Sequence, residues 1–331
     1  MWFQMVEPTV ISLFAGCGGS SLGYKLAGFK ELLAVEWDDN AVQTFKLNFP
    51  EVPIYHGDIC KLSSEECMKL AEIKPGELDI LDGSPPCQGF STAGKRNFND
   101  SRNSLFKEYC RLLRDLQPKV FVFENVSGLV KGYMKQIYLE IIKELRDCGY
   151  KCKGQVLNAM YYNVPQSRER VIIIGVRKDL GIEPSHPKPQ NEPVSLSLIF
   201  ENLVTDTKEA FELTPKYIRP LLKKMGDYEV ASKYSNGTRY FNHKRNSANR
   251  PSRTILKTPD TYHYSENRLL TREELKIIGG YPIDFQFCGD LKDYYNRIGN
   301  SVPPPFMKAI AEHIRINILN FTGKKAELIE G

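Results

Sequence analysis

Thr9-Val10-Ile11-Ser12-Leu13-Phe14-Ala15-Gly16-Cys17-Gly18-Gly19 decides the fold: a β-rich apolar run stops in a glycine turn, and a helix-like segment follows as far as Ala27. A buried strand reads as such a run, and strand, glycine turn and helix together open a nucleotide-binding βαβ unit. The next strand, Leu32 to Val35, delivers Glu36-Trp37-Asp38, with Glu36 lying 18 residues beyond Gly18. An acid at that distance accepts hydrogen bonds from ribose hydroxyls, and Trp37 beside it offers a ring to a purine. Ser21 stands where the dinucleotide fingerprint has its third glycine or alanine, so the expected ligand carries a nucleoside and no pyrophosphate. Helix-like Asn40 to Phe49, a strand ending near Gly57-Asp58-Ile59, and further alternation through Val176 predict an α/β domain built on a doubly wound, mostly parallel sheet. Asp58 is read either as a partner for an adenine amino group or as a plain helix cap.

The fourth strand, Leu78 to Leu81, runs into Gly83-Ser84-Pro85-Pro86-Cys87-Gln88-Gly89-Phe90-Ser91. Each proline fixes its own φ and restricts the residue before it, so Cys87 is held at the carboxyl end of a strand, where open α/β sheets bind their ligands. An ordinary free cysteine is a small buried hydrophobe. Prolines, glutamine, glycine and serine are not a core environment, and Cys87 is read as a nucleophile. Val120 to Phe123 delivers Glu124-Asn125-Val126 to the same end. Gln166-Ser167-Arg168-Glu169-Arg170 precedes the apolar run Val171 to Val176.

Composition narrows the class. The 331 residues contain no apolar stretch of membrane-spanning length, and the start of the chain lacks a charged-then-apolar leader, so the expected location is cytoplasmic, with the nucleoid. Eight cysteines form no Cys-x-x-Cys pair, which argues against a disulfide framework and a structural metal. The net charge of +5 is unevenly spread: between Lys216 and Lys257 eleven Lys/Arg face only Asp227 and Glu229, a local balance of +9 that leaves −4 for the rest. Tyr217, Tyr228, Tyr234, Tyr240, Phe241 and His243 interleave with these cations. That mixture favours a polyanion surface over a solvated charged face.

In this order the motifs resemble the cytosine-C5 DNA methyltransferase family. Phe14 to Gly19 matches the cofactor turn, Pro85-Pro86-Cys87-Gln88 the nucleophile loop, and Glu124-Asn125-Val126 the acid motif. Gln166 to Arg170 and Gly299-Asn300-Ser301-Val302-Pro303-Pro304 match two more. The likeness spans nearly the whole chain outside Gly181 to Asn249. It implies catalytic roles for Cys87, Glu124, Arg168 and Arg170, with Arg170 on the target base or its phosphate and Arg168 bracing the loop. It implies S-adenosylmethionine as cofactor, held by Phe14, Ala15, Gly16, Gly18, Gly19, Glu36, Trp37, Asp58, Ile59, Pro86, Asn300, Ser301 and Val302. Double-stranded DNA is the implied partner, reached by Ser91, Lys95, Arg102, Arg239, Lys244, Arg245, Arg250 and Thr254, with Lys216 and Arg219 as further basic candidates.

The resemblance also predicts an organisation: a catalytic domain over 1–180 completed by 301–331, a small target-recognition domain over 181–275, and a hinge over 276–300. A monomer is expected, related in function and not in contact to a cognate restriction endonuclease. A tRNA-directed branch of the family carries a Cys-Phe-Thr motif that this sequence lacks, and a non-catalytic scaffold would not need Cys87, Glu124 and Arg170 together. Gly279 in Ile278-Gly279-Gly280-Tyr281-Pro282 replaces the glutamine common in relatives, and Ala93 replaces a polar loop residue.

Overall fold

The computed structural model describes residues 7–86, 104–132, 134–235 and 240–320. Cys87, Ser91, Lys95, Arg102 and Arg239 lie outside the described residues. Two compact units divide the chain, the first comprising 1–157, 169–188 and 307–331 and the second 158–168 and 189–306.

The first unit holds the sheet. Its strands are β1 (Thr9–Leu13), β2 (Lys30–Glu36), β3 (Ile54–His56), β4 (Ile80–Gly83), β5 (Val120–Val126), β6 (Tyr150–Asn158) and β7 (Glu169–Arg177). They lie in the order β3-β2-β1-β4-β5-β7-β6. β1 to β5 pair in parallel, and β7 runs antiparallel to β5. The expected mostly parallel sheet is present. β4 is buried from end to end and β1 and β5 at all but one terminal residue each, as strands covered on both faces must be. β6 is an edge strand with one exposed face, where its lysines and glutamine interrupt the apolar pattern.

Helices α1 (Gly19–Leu26), α2 (Asp39–Asn48), α3 (Ser64–Ala71), α4 (Ser104–Leu116) and α5 (Met134–Asp147) complete the alternation. α2 starts where the Asp38 carboxylate accepts from the Ala41 amide at 2.9 Å. α1 has a glycine cap instead, Gly18 at φ 92, and a side chain there would strike the Phe49 ring. Under the sheet, Phe106, Tyr109, Phe121, Phe123 and Tyr150 meet edge to face, with centroids 5.2–6.3 Å apart.

A feature no motif announced lies against β1. Tyr24 Oη donates to Asp82 Oδ1 at 3.3 Å, and Ser21 Oγ donates to Glu31 Oε1 at 3.0 Å. Burial pushes the Asp82 carboxyl up to about 8, with the Glu31 charge adding to the rise, and burial pushes the Glu31 carboxyl to about 7. A carboxyl raised on folding contributes stability that is fully present below its unfolded value of about 4 and lost as pH rises through its folded value. The buried histidines, held below their ordinary value, add stability until the unfolded histidines have titrated near about pH 7.5, so the urea midpoint is expected to fall from about pH 7.5 to about pH 8.5, and Asp82→Asn is expected to flatten the fall. A midpoint constant across that interval would show that the pair ionises freely.

The second unit is made of short helices and turns around a parallel bridge of Lys244–Arg245 with Thr261–Tyr262. Its helix Arg272–Ile278 opens on a capping box made by Thr271 and Glu274. Buried Arg268 makes charge-assisted bonds of 2.8 Å to both oxygens of Glu274. Arg253 to Leu256 forms no strand. The Ile255 amide donates to the Gln166 side chain and its carbonyl accepts from Arg168, so side chains satisfy a backbone that would otherwise seek a ladder. Bonds of the same kind join 158–168 to 276–306 within the second unit. Gln166 Nε2 donates to the Ile278 carbonyl, and Arg168 Nη2 donates to the Gly299 and Ser301 carbonyls at 2.8 Å each.

Candidate active site

At the carboxyl end of β1 the chain reverses through Phe14, Gly16 and Gly18, all at positive φ. Glu36 arrives there from β2. Its Oε2 accepts from the Gly16 amide at 2.8 Å, and its Oε1 accepts from the Trp37 and Asp38 amides at 2.8 and 2.9 Å. A carboxylate offers about four acceptor positions. Three are taken by backbone, so Glu36 keeps about one for a ligand, fewer than the two ribose hydroxyls expected. Trp37 is 75 % exposed, which excludes a core role, and a side chain added at Gly16 would meet open space. Phe14 packs on the core. Asp58 caps the 3-10 turn Ile59–Lys61 by accepting from the Cys60 amide at 3.0 Å, and Ile59 is buried. Among the described residues, no group of His, Cys, Asp and Glu could hold a metal.

The acid motif sits at the end of β5. Register places Glu124 opposite Ile172 and Val126 opposite Arg170, which makes Glu124 and Arg170 diagonal neighbours on one face. Arg170 Nε donates to Glu124 Oε1 at 2.8 Å, with both side chains nearly buried. Asn125, which carried no role in the sequence reading, donates through Nδ2 to the Pro85 carbonyl at 3.2 Å and accepts the Val126 amide at 2.8 Å. It ties the acid motif to the chain two residues before Cys87. Pro86, the last described residue before the cysteine, is exposed. An asparagine between an acid and a valine gives no signal of this in one sequence.

Other expected site residues belong to the second unit. Arg168 is buried, and its guanidinium bonds to backbone carbonyls; it organises Ile255, Gly299 and Ser301. Gly299 has to be glycine, because a Cβ there would lie 2.4 Å from the backbone of Leu256. Ser301 Oγ is 2.6 Å from Tyr281 Oη, Asn300 Nδ2 donates to Asn296, and Val302 is buried.

The DNA-facing candidates separate into two kinds. Arg245 is buried and donates to the carbonyls of Leu222, His263, Tyr264 and Glu266 and to Asn267. It is corrected from a DNA contact to a structural cation, since a guanidinium spent on carbonyls is not available to phosphate. Arg219 likewise donates to the Phe211 and Thr214 carbonyls, and the Thr254 hydroxyl donates to the Ser167 carbonyl at 2.6 Å. Lys244 is half-buried, and Lys216 is exposed. Arg250 is exposed, 5.3 Å from the Tyr228 ring centre, and Arg253 stacks on the same ring at 3.8 Å.

The contrast is testable. Arg245→Met orphans several buried acceptors and is expected to cost ~3 kcal/mol or more, read as a lower urea midpoint. Arg250→Ala is expected to leave that midpoint unchanged and to reduce the log-log salt slope of DNA binding by about one. Equal midpoints for the two variants would refute the assignment of Arg245.

Comparison with known proteins adds a second line of evidence. The sequence model of the C-5 cytosine-specific DNA methylase family matches residues 8–315. The chain is 36% identical to the Type II methyltransferase M1.HphI of Haemophilus parahaemolyticus, over 92% of this chain and 86% of that one. It is 35% identical to the Type II methyltransferase M.PspPI of a Psychrobacter species, over 96% and 82%. Among solved structures it is similar to a DNA modification methyltransferase encoded within an E. coli prophage, with TM-score 0.77 and 26% identity over 95% of this chain and all of that one. A Spodoptera frugiperda Dnmt2 structure shares the fold at TM-score 0.67 and 20% identity, covering 96% of this chain and 100% of that one.

Proposed function

The chain belongs to the C-5 cytosine-specific DNA methylase family and is a DNA (cytosine-5-)-methyltransferase, and from that premise we propose that it methylates one cytosine within a specific duplex sequence, through a covalent Cys87 adduct on a base turned out of the helix. The observation that carries this reading is the Glu124–Arg170 pair at the end of β5, with Asn125 anchoring the chain that leads to Cys87. Its named relatives make a restriction-modification role the natural setting.

The chemistry explains the residue types. C5 of cytosine is a weak carbon nucleophile, and addition of the Cys87 thiolate at C6 makes the ring enamine-like. Charge then builds toward N3. Glu124 hydrogen-bonds N3 and the exocyclic amine, and because Arg170 engages Oε1, Oε2 is left for the base. Once C5 has bonded a methyl group, loss of its proton to a base and expulsion of Cys87 as thiolate restore the C5–C6 double bond. A stacked base hides C6, so the target nucleotide leaves the helix.

S-adenosylmethionine, which this family uses, supplies an electrophilic methyl group when bound. The first unit fits its adenosine: open space at Gly16, an exposed Trp37 ring, and one acceptor position left on Glu36, with Phe14, Ala15, Gly18, Gly19, Asp58 and Ile59 around them. The second unit, with its Arg250–Tyr228–Arg253 stack, is assigned to DNA. Transfer of labelled methyl groups to duplex DNA and to tRNA from parallel incubations tests the function. Label in the duplex at C5 of cytosine is expected, and label confined to tRNA would overturn the substrate assignment.

A further inference from the structure

Away from the site, two thiols meet. Cys110 lies on the buried face of α4, and Cys148 follows the last residue of α5; the Cys148 thiol donates to the Cys110 carbonyl at 4.0 Å, and the two thiols are close enough to shift each other's titration. Cys110 is 1% exposed while Cys148 is half-buried, so one sulfur is reachable from solvent and the other only through its neighbour. Arg114, one turn along α4, is ion-paired with Glu144 of α5 beside them. Gly149, at φ 99 with open space around it, gives the chain at Cys148 room to adjust.

We propose that Cys110 and Cys148 form a redox-modifiable dithiol that hydroperoxides convert to an intramolecular disulfide linking α4 to the end of α5. The asymmetry of the pair supports an order of events. The neighbouring Cys110 thiol, aided by Arg114, holds the Cys148 thiol below its ordinary value, whereas the Cys148 thiol and burial push Cys110 up. The Cys148 thiolate attacks one peroxide oxygen, the O–O bond breaks, and the departing hydroxide takes a proton to leave as water. Cys148 is now a sulfenic acid. The Cys110 sulfur attacks the Cys148 sulfur, the S–O bond breaks, and the hydroxyl leaves with the Cys110 proton as a second water. Two thiols are thereby oxidised by two electrons and one hydrogen peroxide is reduced to two waters. A dithiol reductant reverses the change by exchange.

The sequence makes the test clean. Trypsin places Cys110 in Glu108–Arg111 and Cys148 in Asp147–Lys151, separate from Cys152 and from every other cysteine. The folded full-length protein is treated with hydrogen peroxide, its remaining thiols are alkylated in denaturant, and the non-reduced digest is read by mass spectrometry. The expected product is Glu108–Arg111 joined to Asp147–Lys151 with loss of two hydrogens, reversed by dithiothreitol. In Cys110→Ser, the Cys148 sulfenic acid has no partner, and its capture by dimedone is expected to rise at least several-fold over the wild type. Cys148 carried on to sulfinic acid with Cys110 still free to alkylate, linkage of Cys148 to Cys152, or equal dimedone capture in both proteins would each overturn the proposal. Should Cys110→Ser fail to fold, Cys148→Ser, at the half-buried position, decides instead: Cys110 is expected to stay reduced in it.

Discussion

Cys87→Ala is expected to lower methyl transfer by a factor on the order of 10⁴ or more, the scale on which removal of a covalent nucleophile acts, while affinity for duplex DNA is retained. The two halves of this result have different physical origins. Without a sulfur to add at C6 the ring has no route to the enamine-like state, and no water or hydroxyl nearby matches a thiolate as a carbon-directed nucleophile. Binding, by contrast, is expected to rest on phosphate neutralisation by cations such as the proposed DNA contact Arg250, which the substitution leaves in place. Labelled-methyl assays and gel shifts measure the two separately. Duplex containing 5-fluorocytosine sharpens the result, because fluorine cannot leave C5 as a proton does and the adduct persists: a denaturation-resistant complex is expected with the wild type and none with Cys87→Ala. Turnover by the alanine variant within tenfold of the wild type would remove the covalent mechanism.

Much of the first unit was legible in the sequence because buried parallel strands leave a coarse signature. Val10 to Leu13, Leu32 to Val35 and Val120 to Phe123 are largely apolar runs, and each leads directly into a residue of the candidate site. Local chemistry was legible for the same reason: Thr271 and Glu274 lie three residues apart, and the capping box needs nothing from elsewhere in the chain. What could not be read depends on partners far away in sequence. Arg245 sits in a basic, aromatic segment like any phosphate-binding arginine, and only carbonyls from Leu222 and from His263 to Glu266 make it structural. Arg168 and Arg170 look equivalent, yet one braces Ile255, Gly299 and Ser301 while the other meets Glu124. Asp82 and Glu31, 51 positions apart, are brought together by the pairing of β1 with both β2 and β4, and nothing in either neighbourhood anticipates that they share a buried site.

Glu124→Gln is expected to slow single-turnover methylation about 100-fold, the usual scale for losing a positioned acid or base, with little change in DNA affinity. The amide keeps the shape of the side chain and one acceptor oxygen, but it cannot share a proton with N3 as charge builds there. It also weakens the 2.8 Å contact to Arg170, since a neutral acceptor gives up the ion-pair attraction that a carboxylate has for a guanidinium. That second effect separates Glu124 from Arg170. If Arg170 acts by orienting the carboxylate, Arg170→Met slows the wild-type enzyme but adds little once Glu124 is already glutamine, so the two losses fall well short of multiplying. If Arg170 acts on the target base or its phosphate independently, the losses multiply, and the double variant is slower than either single one by the full product. Rapid-quench measurement of the four proteins at saturating DNA distinguishes these outcomes. An unchanged rate in Glu124→Gln would make the pair a structural feature of the β5 and β7 ends and leave the activation of the base to some other group.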